Sequence, residues 1–185
     1  MQSNPLDKQQ HPLEKFSFCP HCGSKWKVNN VKSKHCEQCG FTYYANPSSA
    51  TAAFIINDRK ELLAVRRKKE PAKGTLDLPG GFVDMDESGE EGVVREVKEE
   101  TGLDVTCARY LFSIPNLYEY SGMGIHTLDM FYLCKVGDTT GLQAMDDAEE
   151  ALWIPLSAVN PDAFGLCSIR QAVGLFVKKT QTFPI

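Results

Sequence analysis

Between Gly80 and Leu103 the chain reads GGFVDMDESGEEGVVREVKEETGL, a run of carboxylates offset only by Arg95 and Lys98. Like charges on neighbouring helical turns repel, so this crowding asks for a counter-charge. Glu96, Glu99 and Glu100 stand at i, i+3 and i+4, which places three carboxyl groups together on one helical face. Three such groups stay ionised cheaply only beside a cation. Oxygen ligands alone favour a hard ion, Mg²⁺ or Mn²⁺, over zinc, and magnesium held this way takes its other ligands from water and substrate phosphates. The competing reading is a solvated acidic face with no ion.

A second chemical set lies nearer the N-terminus. Cys19, Cys22, Cys36 and Cys39 form two C-x2-C pairs with thirteen residues between them. Zinc takes four thiolates in a tetrahedron and each short pair offers two, so the spacing predicts a structural zinc ribbon. His21 and His35 sit beside ligand cysteines as bystanders. A closed site of four cysteines contributes to folding and does no chemistry. The Lys25-Trp26-Lys27 triplet is a basic and aromatic hint of a nucleotide or nucleic-acid contact. Cys107, Cys134 and Cys167 stand alone in apolar segments and read as reduced core cysteines.

The elements that must position these groups follow from pattern. Residues 1–15 are polar and aperiodic and read as a loosely ordered arm. A ribbon is expected over 16–45, poor in aliphatic residues, and a larger domain over 49–179. SATAAFIIND and LLAVRR read as strands around a short turn, and KKEPAKGTLDLPGG as a loop punctuated by Pro and Gly. A helix is predicted over 89–101. Ser88 and Glu91 form its capping box, Gly102 its left-handed end, and Val93, Val94, Val97 and Leu103 its apolar face. DVTCARYLFSIPN and HTLDMFYLCKV read as strands, EALWIPLSAV as a strand turning into a short helix, and LCSIRQAVGLFVKK as a closing helix with Ile169, Val173, Leu175 and Phe176 apolar. Strands mixed with helices indicate an α/β or α+β sandwich.

The acidic stretch resembles the Nudix hydrolase signature, G-x5-E-x7-R-E-U-x-E-E-x-G-U with U a bulky aliphatic. Gly81 is followed at the required spacings by Glu87, Arg95, Glu96, Val97, Glu99, Glu100, Gly102 and Leu103, so every specified position matches. The resemblance covers roughly residues 49–179 and implies an α/β/α sandwich with a mixed sheet that hydrolyses a nucleoside diphosphate linked to another group. It implies that Glu96, Glu99 and Glu100 hold the catalytic metal, with the Gly81 carbonyl as a further ligand. Glu87 would support that shell, and Arg95 would orient the glutamates through charge-assisted hydrogen bonds. The general base is either Glu96 or an acid of the later MDDAEE run, Asp146, Asp147, Glu149 or Glu150. That run also fits a plain flexible acidic loop.

A zinc ribbon ahead of such a domain resembles the NADH pyrophosphatase group. Of that group's S-Q-P-W-P-F-P-x-S signature, however, only Ser113 and Pro115 are kept. The ADP-ribose group tends to place a proline where this chain has Glu119. The diadenosine polyphosphate group tends to place a tyrosine in that neighbourhood, and Tyr118 and Tyr120 qualify as base-stacking residues or as strand residues facing a core. Arg66 and Arg67 end a predicted strand, where they could meet substrate phosphates or solvent. Phe54 reads as a core residue or as the lining of a base pocket. The expected substrate is NADH, ADP-ribose or a dinucleoside polyphosphate; the alternative is a non-catalytic sensor of such nucleotides.

The 185 residues are 42% hydrophobic, enough for one main core and a small satellite. A formal charge of −4 argues against non-specific nucleic-acid binding. No apolar run approaches a membrane span, and MQSNPLDKQQHPLEKF lacks a secretory pattern, so a cytoplasmic protein is expected. The ribbon and an exposed strand edge would suit a homodimer.

Overall fold

The computed structural model describes residues 11–182, with side chains through residue 179, and divides them into two units. One unit comprises 11–48 with 117–127, the other 49–116 with 128–182. Of the arm expected over 1–15, residues 1–10 lie outside the described residues.

The first unit holds the ribbon. Strands β1 (Lys27–Asn30), β2 (Ser33–His35) and β3 (Thr42–Tyr44) form an antiparallel sheet in that order. Residues 11–15 are a turn of this module rather than a loose arm. His11 Nε2 meets Asn30 O at 2.9 Å, and Leu13 is buried with Cys19, Trp26 and Cys36. So small a module has few aliphatics, and Leu13 supplies one of them. Trp26 is committed to the same core. Its Nε1–H donates to Phe16 O at 2.6 Å, and Lys34 Nζ lies 5.7 Å from its ring centroid. The tryptophan of the basic triplet is therefore not an exposed stacking platform.

Strand β4 (Ser48–Ile55) pairs with β8 (Met123–Val136), which pairs with β7 (Val105–Tyr120), a sheet of the second unit apart from Ser48 and the 117–127 end of its hairpin. A second sheet runs β6 (Leu76–Asp77), β5 (Glu61–Arg67), β9 (Ala148–Pro155), with antiparallel pairing and one parallel bridge between Leu76 and Phe164. The alternation of β4 explains the layering. Ala53 and Ile55 pack with Val93 and Val97 of helix α1 (Gly89–Thr101), whereas Ala52 and Phe54 pack with Ala172, Val173 and Phe176 of helix α2 (Cys167–Thr182). Phe54 stacks on Phe176 with ring centroids 4.1 Å apart, a core role and not a pocket wall. The result is the α/β/α sandwich with mixed strands, its strands shared between two three-stranded sheets.

Strands β7 and β8 run further than expected and meet at Ser121-Gly122, both with positive φ, as a tight hairpin turn requires. Pro115 does not end β7 because β7 is an edge strand, where a missing N–H is tolerated. Of the three isolated cysteines only Cys134 is buried. Cys107 lies exposed on edge strand β7, and Cys167 is exposed as the first residue of α2. Val94 and Leu175 likewise face outward. No described helix is long and apolar enough to cross a membrane.

Candidate active site and zinc centre

Helix α1 begins and ends as its sequence dictates. The Ser88 side chain accepts from Glu91 N–H, the Glu91 carboxylate accepts from Ser88 N–H at 2.8 Å, and Gly102 closes the helix in the left-handed region. The loop before it is strapped to β4. Ala53 N–H donates to Pro79 O (2.8 Å), Thr51 N–H to Gly81 O (2.8 Å) and Val83 N–H to Ser49 O (3.0 Å). At Gly80, φ is +155° and an added Cβ would stand 2.1 Å from Thr51 O, so no side chain fits. The Gly81 carbonyl, expected as a metal ligand, already accepts one hydrogen bond from β4.

Arg95 is the hub of the acidic cluster. Its Nε and Nη2 grip the two Glu87 oxygens at 2.9 and 3.0 Å, Nη1 reaches Glu96 (2.8 Å) and Glu99 (3.1 Å), and Nη2 also holds Phe82 O at 3.0 Å. These bonds, Glu87 foremost, raise the Arg95 pKa, and the guanidinium in turn holds Glu87 below the usual carboxylate range. Glu99 is half exposed.

Glu100 is held by the loop instead. It is buried and accepts from Gly80 N–H at 3.1 Å. Burial pushes its pKa up to about 8; the Gly80 hydrogen bond opposes this, and the charges of Asp77, Glu96 and Asp147 add to it. Burial also raises Glu96. The three glutamates do not form a ready cage. Among the described residues, the four cysteines are the one group of three or more candidate ligands whose donor atoms all lie within 4.8 Å. The i, i+3, i+4 spacing does bring the glutamates to one region, but the Arg95 guanidinium supplies the neutralising charge between Glu96 and Glu99. Even so, the donor set suits a divalent ion. A buried carboxyl ringed by three acids is a site that a hard cation would relieve.

The acidic loop divides. Met145 N–H donates to Glu100 O (2.9 Å) and Gln143 N–H to Thr101 O (3.1 Å), tying the loop to the end of α1. Asp147 raises Glu100 and pairs with Lys69, and the exposed Asp146, at φ +47°, raises Glu96. Glu150 instead pairs with Arg66 at 2.9 Å, while Glu149 is exposed. Arg66 also donates to Gly74 O, so its guanidinium is engaged within the sheet and its loop. Tyr118 and Tyr120 belong to the other unit, with the ribbon.

Sequence reading missed Asp77. This buried carboxyl of β6 pairs with Arg67 Nη1 at 2.5 Å and accepts from Leu78 N–H at 2.8 Å, and its charge bears on Glu100. A two-residue strand inside a Pro- and Gly-rich loop gives no periodic signal. Only the adjacency of Asp77 to the Gly80-Gly81 turn pointed to it.

In the ribbon, the two knuckles repeat one another. Gly23 N–H donates to Cys19 O and Gly40 N–H to Cys36 O, at 2.9 and 2.8 Å, and both glycines have φ of 75°. The sulfurs of Cys19 and Cys39 are 3.8 Å apart, and those of Cys22 and Cys36 3.6 Å. A tetrahedron with zinc–sulfur bonds of about 2.3 Å has edges of about 3.8 Å, which these two separations match, and all four sulfurs lie within 4.8 Å of one another, a donor set that suits zinc.

The model of the NUDIX domain family matches residues 46–169. The chain belongs to the Nudix family. It is a hydrolase of diphosphate-linked nucleoside derivatives. This Nudix chain is 34% identical over 142 residues to the ADP-ribose pyrophosphatase of Methanocaldococcus jannaschii, covering 77% of this chain and 80% of that protein. It is 30% identical over 153 residues to the NAD-capped RNA hydrolase NudC of Vibrio atlanticus, covering 82% of this chain but 54% of the relative, about half its length. A Nudix hydrolase structure from Nitrosomonas europaea superposes with a TM-score of 0.70, covering 90% and 93% of the two chains at 17% identity, a likeness of fold.

Proposed function

We propose that this protein cleaves the diphosphate of an ADP-linked nucleotide, of the ADP-ribose, NADH or dinucleoside polyphosphate type, in a reaction dependent on Mg²⁺ or Mn²⁺. The observation that carries the reading is the buried Glu100, held against the Gly80 N–H beside Glu96 and further acidic groups. Glu96, Glu99 and Glu100 would hold the ion, with the Gly81 carbonyl at its remaining lone pair. Held there, a divalent ion would supply positive charge to the diphosphate and a more acidic water. Arg95, locked by Glu87, positions Glu96 and Glu99. Asp146 is the loop acid best placed to take a proton from water, being exposed and close enough to act on Glu96, whereas Asp147 is held by Lys69.

The relatives' names support ADP-ribose and NAD derivatives as the substrate class, the former through the relative aligned over most of its length. Zinc in the ribbon is structural. We assign 11–45 to the ribbon and 49–179 to the hydrolase domain along the chain, with 117–127 of the latter grouping with the ribbon. Seven cysteines with no disulfide among them suit a cytoplasmic setting, and the exposed edge strand β1 would serve a homodimer.

Phosphate release, coupled to a phosphatase, is to be measured with ADP-ribose, NADH, NAD, diadenosine polyphosphates and nucleotide sugars. Turnover of an ADP-linked compound with Mg²⁺ or Mn²⁺, abolished in Glu99→Gln, is expected. No turnover of any of them, with binding retained, would leave a sensor and not an enzyme.

A further inference from the structure

The chain is acidic overall, yet residues 11–48 carry five lysines against two glutamates. The strand register gathers part of that charge on one face of the ribbon. Phe18 bridges Lys25 across the first knuckle, and Lys27 pairs with His35, itself opposite Thr42, two residues before Tyr44. Lys25 and Lys27 flank Trp26, whose ring is turned into the core, so both project from the opposite side. Phe18 is 59% exposed and Tyr44 47%, although a module this short has every reason to bury aromatic rings. Among the described residues Lys27 is matched by the surface carboxylate of Glu37 at 2.8 Å, a pair of the kind worth little in water and readily exchanged.

We propose that this Phe18, Lys25, Lys27 and Tyr44 face binds single-stranded nucleic acid, its rings stacking on bases and its two lysines holding consecutive phosphates. Aromatic rings interleaved with cations are the chemistry single strands require, because every base has a π face and every linkage a negative charge. Duplex is excluded as the ligand because its bases are not free to stack on the rings. This surface is separate from the catalytic reading above and stands or falls without it.

The test is fluorescence anisotropy of labelled single-stranded RNA and DNA 12-mers with the full zinc-loaded chain and no added Mg²⁺ or Mn²⁺, so that turnover plays no part. Two lysine–phosphate contacts give a single-strand salt slope of about −1.4, which is about a sevenfold loss of affinity from 50 to 200 mM salt. Lys25→Gln/Lys27→Gln is expected to weaken binding about tenfold and flatten that slope. Phe18→Ser/Tyr44→Ser is expected to weaken it at least fivefold, and Glu37→Gln to tighten it two- to threefold, roughly the worth of a surface pair. Zinc content of one ion per chain checks that each variant is folded. Absence of binding at 50 mM salt, equal binding of duplex, or unchanged affinity in the zinc-replete lysine variant would overturn the proposal.

Discussion

Gly81 lies so close to Glu96 that a methyl group on its Cα would stand 2.5 Å from Glu96 Oε1. The glycine of the loop and the glutamate of the helix share one volume. Gly81→Ala must therefore push the Glu96 carboxylate away from its place beside Arg95. A displacement of about 1 Å at such a site costs about a hundredfold in rate. The expected result is a fall in kcat of that order with the far-ultraviolet circular dichroism unchanged; unaltered kcat would show that Glu96 does not need this position.

Arg95 spreads its guanidinium over Glu87, Glu96 and Glu99. Lysine keeps the charge but not the planar fork. Arg95→Lys should lower kcat or metal affinity about 10- to 100-fold, as loss of supporting contacts to ligands does, with a smaller change in KM for the nucleotide. Steady-state kinetics over a Mn²⁺ series would read this directly.

Glu100 gives a pH signature in protein without Mg²⁺ or Mn²⁺. Its carboxyl stays neutral in the fold up to about 8, against an ordinary value of 4.5. Its contribution to stability is thus complete below 4.5 and is lost as the pH climbs to about 8. Glu100→Gln removes that dependence while keeping an oxygen to accept from Gly80. Urea unfolding from about pH 5 to about 8.5 should show wild type losing ground to the variant by up to about 1.4 kcal/mol per pH unit. A constant difference across that range would contradict the burial of a neutral acid.

The ribbon should depend on its metal. Trp26 is buried beside Cys19 and Cys36, so stripping zinc with a thiol-reactive mercurial should expose the ring. In a Trp153→Phe background, Trp26 emission is expected to shift to the red and return when zinc is restored after reduction. Emission that ignores zinc would mean the ribbon folds without it.

The helix and the knuckles were legible in the sequence because each is written locally. Ser88, Glu91 and Gly102 mark the ends of α1, and the C-x2-C pairs mark the sulfurs. What the sequence could not show depended on partners distant in the chain. The spacing of Glu96, Glu99 and Glu100 implied convergence, but a guanidinium one residue away from Glu96 takes the space between two of them. The MDDAEE run offered four acids as equals. Hydrogen bonds to the end of α1 bring Asp146 and Asp147 toward the glutamates, while the pairing of β9 with β5 gives Glu150 to Arg66. Tyr118 and Tyr120 sit in a hairpin longer than its residues suggested and fall with the ribbon.

The most direct measurement is Mn²⁺ binding followed by electron paramagnetic resonance of the free ion, on wild type, Glu96→Gln and Glu100→Gln with zinc in place. Carboxylates of α1 that serve as the cation site require tight binding in wild type and at least a tenfold loss in both variants, about 1.4 kcal/mol or more. Equal Mn²⁺ affinity in all three proteins would place the ion elsewhere and remove the basis for hydrolysis at this helix.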